Sequence, residues 1–428
     1  MKKAIVVGSG AGGATAAKEL QGKFDVTVLE AGQHFRPFSF SLETMETIKR
    51  SGLLISEKQI QLFFPAMRIM KTSDKMVLVR GIGTGGTTTI GAGNALRMDA
   101  DLRRLGINLD LEFEELGREI PVSTAHQRIW RETTRRLFKI CESMALNPVP
   151  TPKMGHYECC QNCGRCVLGC PNGVKWDGRE FLKEALAGGA RLITNCRVRR
   201  ILIKSGKATG VLADAGWQRR FFPADLVILA AGGMGTPAIL QDSEIPCEPR
   251  LFVDPVLCVA TEWKSAFQNQ EVPMPFVVQR EHFILSPYFD HLSFFFNRKW
   301  KSRARDILSL MIKLADSNSG RVTGNKVDKT LNDLDKNRLK DAVALAAKVF
   351  GRLGIGESSL FLGTINAGHP GGMLPLAARE AERLHPDRLP ENLFVADASL
   401  FPASLGNPPS LTIMALAKRI SKICRTSL

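Results

Sequence analysis

A short apolar run, AIVV, leads directly into Gly8-Ser9-Gly10-Ala11-Gly12-Gly13 and then into a stretch of small residues. This arrangement predicts a strand over Lys3–Val7, a helix over about Gly12–Leu20 and a second strand over about Asp25–Glu30. Few folds accept such a loop. Gly8 makes a tight turn, Gly10 lets the backbone approach a pyrophosphate, and Gly13 lets helix and strand pack closely. The helix N-terminus presents free N–H groups and a favourable dipole to phosphate. Glu30 closes the second strand, where a carboxylate reaches ribose hydroxyls. The loop by itself fits either FAD or NAD.

Further nucleotide-type elements recur at 80–98, 190–243 and 391–424. The chain has 428 residues, 44% of them hydrophobic and 23% charged, enough for a large core and two domains. The expected division is a cofactor domain from 1–100, 156–245 and 361–428, carrying a cysteine-rich insert at 156–178. A helical insert and substrate domain would take 101–155 and 246–360. Residues Ser39–Met76 read as helical and connective, Leu102–Leu146 as helices broken by Pro121, Leu331–Leu353 as an amphipathic helix and Ser410–Cys424 as a final helix.

There is one dinucleotide loop, and LVILAAGGMGTP is a strand-to-glycine turn that recurs in flavoproteins; both favour FAD. Four segments together, VVGSGAGGATAAKEL with VLEAG, GTGGTTTIGAGNALR, AAGGMGTPAILQDS, and AGHPGG with VADASLFPASLGNPPSLTIMALAKR, resemble the glucose–methanol–choline (GMC) oxidoreductase family. That resemblance implies an α/β chain with an α+β substrate domain. A Rossmann-like FAD-binding domain, discontinuous in sequence, would carry a substrate domain built on an antiparallel sheet. It also implies that Gly85, Gly86, Asn94, Val198, Ala231, Asp397 and Pro408 line the cofactor beside Gly8, Gly10, Gly13 and Glu30. HPGG departs from the family, where a threonine more often follows the glycine, and the middle third of the chain matches little.

Two residues suit the oxidation of an alcohol. His369 in AGHPGG is an imidazole whose ordinary pKa lies near working pH, as a general base requires. Asn407 in ASLGNPPS offers a neutral amide to a developing alkoxide, and the following prolines stiffen its loop. Read alone, they are equally a loop histidine and a turn former. By resemblance, His369 matches the family's base and Asn407 the partner that replaces a second histidine in some members.

Five of the ten cysteines fall within twelve residues: Cys159, Cys160, Cys163, Cys166 and Cys170. Cys160-x2-Cys163-x2-Cys166-x3-Cys170-Pro171 has the spacing of a bacterial ferredoxin run. An iron–sulfur cluster held by these residues, with Cys159 as a spare ligand, would pass electrons to an external acceptor or carrier protein. The segment also resembles the cysteine-rich part of long-chain alcohol oxidases, so zinc and no metal stay open. The alternatives to a dehydrogenase are an oxygen-using alcohol oxidase and a non-catalytic electron-transfer subunit.

The net charge of +16 invites an acidic partner, but no nucleic-acid motif accompanies it. The phenylalanines 276, 283, 289, 294, 295 and 296 form either a pocket for an apolar alcohol or plain core. Arg298–Arg305, beside Ile307, Leu308, Leu310, Met311 and Ile312, reads either as a peripheral membrane contact or as a solvated helix face. The substrate expected is a small-molecule alcohol or sugar-like compound. The expected location is the cytoplasm, with the inner face of the membrane as its variant, since AIVV is too short for a signal peptide.

Overall fold

The structure is a computed structural model that describes residues 1–51, 60–324 and 326–427. Its first sheet has five parallel strands in the order Leu393–Val395, Leu226–Leu229, Lys2–Val7, Phe24–Leu29 and Arg191–Ile193. Strands this far apart in sequence pair because those at the centre are apolar on both faces, and parallel strands demand cover on both sides. Val6, Val28, Leu226, Ile228, Leu229 and Val395 are fully buried. The first loop thus opens, as expected, from the C-terminal edge of a central strand.

The helix Ala11–Glu19 buries Gly12 through Ala17, all small, between this sheet and the final helix Ser410–Ser427. Small side chains are what allow that approach. A Cβ on Gly12 would lie 1.6 Å from the Ala396 carbonyl oxygen, and one on Gly13 would lie 2.0 Å from that of Gly8. Lys418 of the final helix, nearly buried, binds Glu19 at 2.6 Å and Glu119 at 2.7 Å.

A second sheet of nine strands is antiparallel apart from one pair. Its centre is Val256–Glu262, Ile307–Leu314, Phe283–Pro287 and Phe276–Gln279. One face packs on the helix Asp333–Arg352 through Leu310, Ile312, Ala346 and Phe350. The other carries Phe289, Phe294, Trp300 and Met311.

Several expectations are corrected. Ile307, Leu308, Leu310, Met311 and Ile312 belong to a central strand buried along its whole length, so they cannot rest on a membrane. Phe276 and Phe294 are buried core, whereas Phe295 and Phe296 line a small apolar cavity of about 20 Å³ with Phe38, Met45 and Phe64, apart from the cavity that holds His369. Met67–Lys71 is a strand, not helix, and it pairs with Val77–Gly81 at the edge of the second sheet. The helical reading of 52–59 falls outside the described residues. Helix Asp110–Glu119, expected with the substrate domain, joins the first core through Leu116, and its buried Glu112 binds Arg419 at 2.7 Å and Lys422 at 3.0 Å.

The packing at Gly12 generates a test. Gly12→Ala should lose at least about 1–3 kcal/mol, because its Cβ meets rigid backbone. Gly117→Ala, in an exposed helix position with nothing within 4 Å of the new atom, should gain about 0.5–1 kcal/mol. Urea denaturation of the purified variants measures both. Equal midpoints would contradict the packing described.

Candidate functional site

A cavity of about 360 Å³ runs from the first glycine loop to His369. Gly8, Gly10, Leu29, Glu30, Val198, Ala231 and Asp397 line it, together with Gly86 from the second glycine loop. Gly8 takes φ +95°, and a Cβ there would strike the Ala230 carbonyl oxygen at 2.4 Å. Gly86 takes φ +54°, and its Cβ would come within 2.8 Å of Gly10 Cα. The two loops therefore touch at Gly86, where only hydrogen fits.

Glu30 binds these loops together. Its Oε2 accepts from Ser9 N at 3.1 Å and Ser9 Oγ at 2.7 Å. Its Oε1 accepts from Gly32 N at 2.9 Å and Gly83 N at 3.1 Å. Ser9 Oγ accepts in turn from Gly85 N at 3.2 Å. A carboxylate has about four acceptor sites, so a ribose hydroxyl would have to displace one of these donors. The role visible here is to fix the cradle.

At the opposite sheet edge, Asp397 Oδ2 accepts from Gly232 N at 2.9 Å and Thr236 Oγ1 at 2.5 Å, and Oδ1 accepts from Ser399 N at 2.9 Å. Burial pushes its carboxyl up from the ordinary value, against those donors. Gly233, next along, would put a Cβ 1.9 Å from the Pro370 carbonyl oxygen. The Ala-Gly-Gly turn is thus what admits the His369 loop to the cavity wall.

His369 is a quarter exposed, through the cavity, and its Nδ1 has no hydrogen-bond partner. Desolvation, with Lys313 adding to it, holds its pKa well below the usual imidazole value. The imidazole is therefore neutral near pH 7, the form a base needs.

Not every expected residue reaches the cavity. Asn407 is buried and absent from the lining; its Nδ2 donates to Gln279 Oε1 at 3.2 Å and Leu405 O at 3.3 Å, leaving Oδ1 without a partner. Pro408 is also outside, while Pro409, Ser410 and Ile413 line the wall. Asn94 turns away, bonding Met274 Sδ at 2.9 Å and accepting from Lys153 Nζ. Gly13 and Gly85 act behind the lining, as close-packing and turn residues.

Motif reading missed the basic side of the cavity. Arg80, Arg197 and Arg199 line it, and the buried Nε of Arg80 has no partner. Burial, then the nearby Arg197 and Arg68, push Arg80 down to about 10. Arg199 is paired with Asp214 at 2.6 Å, while Arg80 and Arg197 bring positive charge to one side of the cavity, which fits an anionic ligand. The backbone cradle and the orphaned guanidinium N–H together suit the pyrophosphate of a dinucleotide. The only sequence signal was the alternating arginines of CRVRR.

Cys160, Cys163, Cys166 and Cys170 all face one small cavity of about 10 Å³, with Tyr157 and Lys175. Cys159 is exposed and apart from it. Among the described residues no three histidine, cysteine, aspartate or glutamate side chains converge closely enough to hold a metal ion. Burial pushes the Cys160 thiol up to about 11 and raises Cys166 as well, while Lys175 and Lys153 pull Cys166 back. Lys175 joins this segment to the second glycine loop. Its Nζ donates to Thr88 O at 2.9 Å, Thr89 O at 2.7 Å, Gly91 O at 2.9 Å and Cys166 O at 3.1 Å.

The sequence model of the GMC oxidoreductase family matches residues 3–256. The chain belongs to that family and is an FAD-dependent oxidoreductase. It is 26% identical to the uncharacterized protein MJ1450 of Methanocaldococcus jannaschii over 97% of both chains. It is 24% identical to the long-chain-alcohol oxidase FAO4A of Arabidopsis thaliana, over 97% of this chain and 67% of that one. Its fold superimposes on the crystal structure of pyridoxine 4-oxidase from Mesorbium loti with a TM-score of 0.72, at 14% identity and 99% coverage of each chain. A formate oxidase variant from Aspergillus oryzae gives 0.69 at 14% identity, covering 99% of this chain and 97% of that one. Among the described residues no helix is long and apolar enough to cross a membrane.

The Glu30 clamp sets a second test. Glu30→Gln replaces one acceptor oxygen by an N–H₂ group facing two donors. Charge-assisted hydrogen bonds of this kind are worth about 1.5–3 kcal/mol each, so the FAD dissociation constant should rise by about tenfold or more. Fluorescence titration of the apoprotein with FAD reads the change, and an unaltered constant would remove Glu30 from the cradle.

Proposed function

We propose that the protein oxidises a CH–OH group of a small-molecule alcohol, with His369 as the base. The observation carrying this reading is the position of His369. Its neutral imidazole stands on the wall of the same cavity that begins at Gly8–Gly12. When bound, FAD supplies a two-electron hydride acceptor. The residues Gly8, Gly10, Gly86, Val198, Ala231 and Asp397 would hold it, with Arg80 and Arg197 toward its phosphates. His369 accepts the hydroxyl proton as the C–H bond weakens, which keeps a full alkoxide from forming in a poorly solvated site. Asn407 stands as the neighbouring amide, reaching the substrate oxygen by exchanging its bond to Gln279. In this reading the cofactor part comprises 1–100, 156–245 and 361–428 together with the helix Asp110–Glu119, lending its strands at 67–71 and 77–81 to the sheet of the substrate part.

The electron outlet has a reading of its own, supported by the four thiols around one cavity. Cys160, Cys163, Cys166 and Cys170 offer the donor set of an iron–sulfur cluster. Its thiolates stand farther apart than the ligands of a single ion, and the loop would have to open around it. In that case the enzyme is a dehydrogenase serving an external acceptor. Without a cluster it is an oxidase making peroxide from oxygen. Iron and acid-labile sulfide analysis of anaerobically purified protein separates the two. About four iron atoms per chain are expected for a cubane, and a plain flavin spectrum without iron removes the cluster.

Two measurements test the base. His369→Ala should slow anaerobic flavin reduction by a primary alcohol by about 10²–10⁴-fold. A normal rate would sink the assignment. Because the imidazole pKa is held low, the base form persists as pH falls. The wild-type reduction rate should therefore stay level down through pH 6.5 and drop only below it. A drop already centred above pH 6.5 would contradict the desolvated site.

A further inference from the structure

Asp254 lies outside every motif, yet its carboxylate meets both candidate catalytic segments. It is 1% exposed and sits 2.7 Å from Lys313 Nζ. Its Oδ1 accepts from Ser404 Oγ and, at 3.2 Å, from Gly406 N, the residue before Asn407. Its Oδ2 stands 4.0 Å from His369 Nδ1. Asp254 Oδ2 is the oxygen that Lys313 holds, whereas His369 Nδ1 is buried with no hydrogen bond at all. The backbone at Asp254 takes φ +53°, a left-handed conformation that strains a non-glycine residue and persists only where the surroundings enforce it. Here they do. Asp254 N donates to Asp316 Oδ1 at 2.8 Å, and Asp316 is itself buried against Lys329 at 2.7 Å.

Resting on the proposed function, we infer that Asp254 is the positioning residue for the base: it takes a hydrogen bond from His369 Nδ1–H, leaves Nε2 bare for the substrate, and fixes the Asn407 loop through Gly406. The physical ground is that buried polar groups are paired. The unpartnered His369 Nδ1 faces a carboxylate oxygen at 4.0 Å that still has a lone pair free beside Lys313, and the gap closes as the site tightens around its ligands, as catalytic contacts often do. The charges facing His369 are Asp254 and Lys313, with Asp316 and Lys329 behind them. Lys313 keeps the carboxylate ionised against the burial that pushes it up. It also offsets the carboxylate's field, so the imidazole stays neutral until the hydroxyl proton arrives at Nε2.

The test is a nitrogen-15 spectrum of the histidine-labelled FAD holoenzyme. His369→Gln assigns the His369 signals and also checks the proposed function. The wild type should show Nδ1 protonated and Nε2 bare. Asp254→Asn, which turns an N–H toward Nδ1, should invert the tautomer and slow flavin reduction by about 10²–10⁴-fold. Ser404→Ala, which removes another bond to the same carboxylate, should keep the wild-type tautomer; a merely structural carboxylate predicts that both variants behave alike. A wild-type His369 protonated at Nε2 overturns the role of Asp254, even if Asp254→Asn fails to fold. If His369→Gln reduces as fast as wild type, the proposed function itself falls, and the role of Asp254 falls with it.

Discussion

One carboxylate sets the shape of the cofactor cradle. Glu30 ends a parallel strand, and its two oxygens collect N–H donors from the first glycine loop, its own turn and the second glycine loop. Buried at 5% exposure, it would be costly without those donors, and with them it locks two loops that have no side chains to lock themselves. The close pass of Gly10 and Gly86 follows from this.

The same economy recurs at the far end. The His369 loop reaches the wall because Gly233 leaves room for the Pro370 carbonyl, and Gly371 pairs its backbone with Phe252. The loop therefore sits at the seam between the parallel sheet and the nine-stranded sheet. Behind it the interior holds two ion pairs, Lys313 with Asp254 and Lys329 with Asp316, all four side chains at 0–1% exposure. Buried pairs seldom stabilise a fold more than apolar residues would. Their cost makes sense where charge placement matters, and here they stand directly behind an imidazole.

What the sequence revealed was what lies close in sequence. The strand, glycine turn and helix at 2–19 are one local unit, and Glu30 follows from strand length alone. The Ala-Gly-Gly turn and the HPGG loop were recognisable through family resemblance. Asp254 was not legible, because its partners lie 59, 115 and 150 residues away at Lys313, His369 and Ser404 and no local pattern connects them. ILSLMIKL misled for a related reason. Its basic neighbours suggested an amphipathic helix face, whereas a continuous apolar run of that length fits a strand covered on both sides. Its one lysine is internal because Asp254 receives it. Asn407 was placed correctly in the loop before the last helix, but the direction of its amide depends on Gln279, a residue from another strand.

The central claim is that one cavity joins a dinucleotide cradle to His369. A structure of the protein reconstituted with FAD tests it most directly. The account predicts the pyrophosphate over Gly8–Gly12 at the N-terminus of the helix Ala11–Glu19, and the isoalloxazine ring reaching the wall that carries His369. FAD bound with its ring away from His369, or bound outside this cavity altogether, would contradict it.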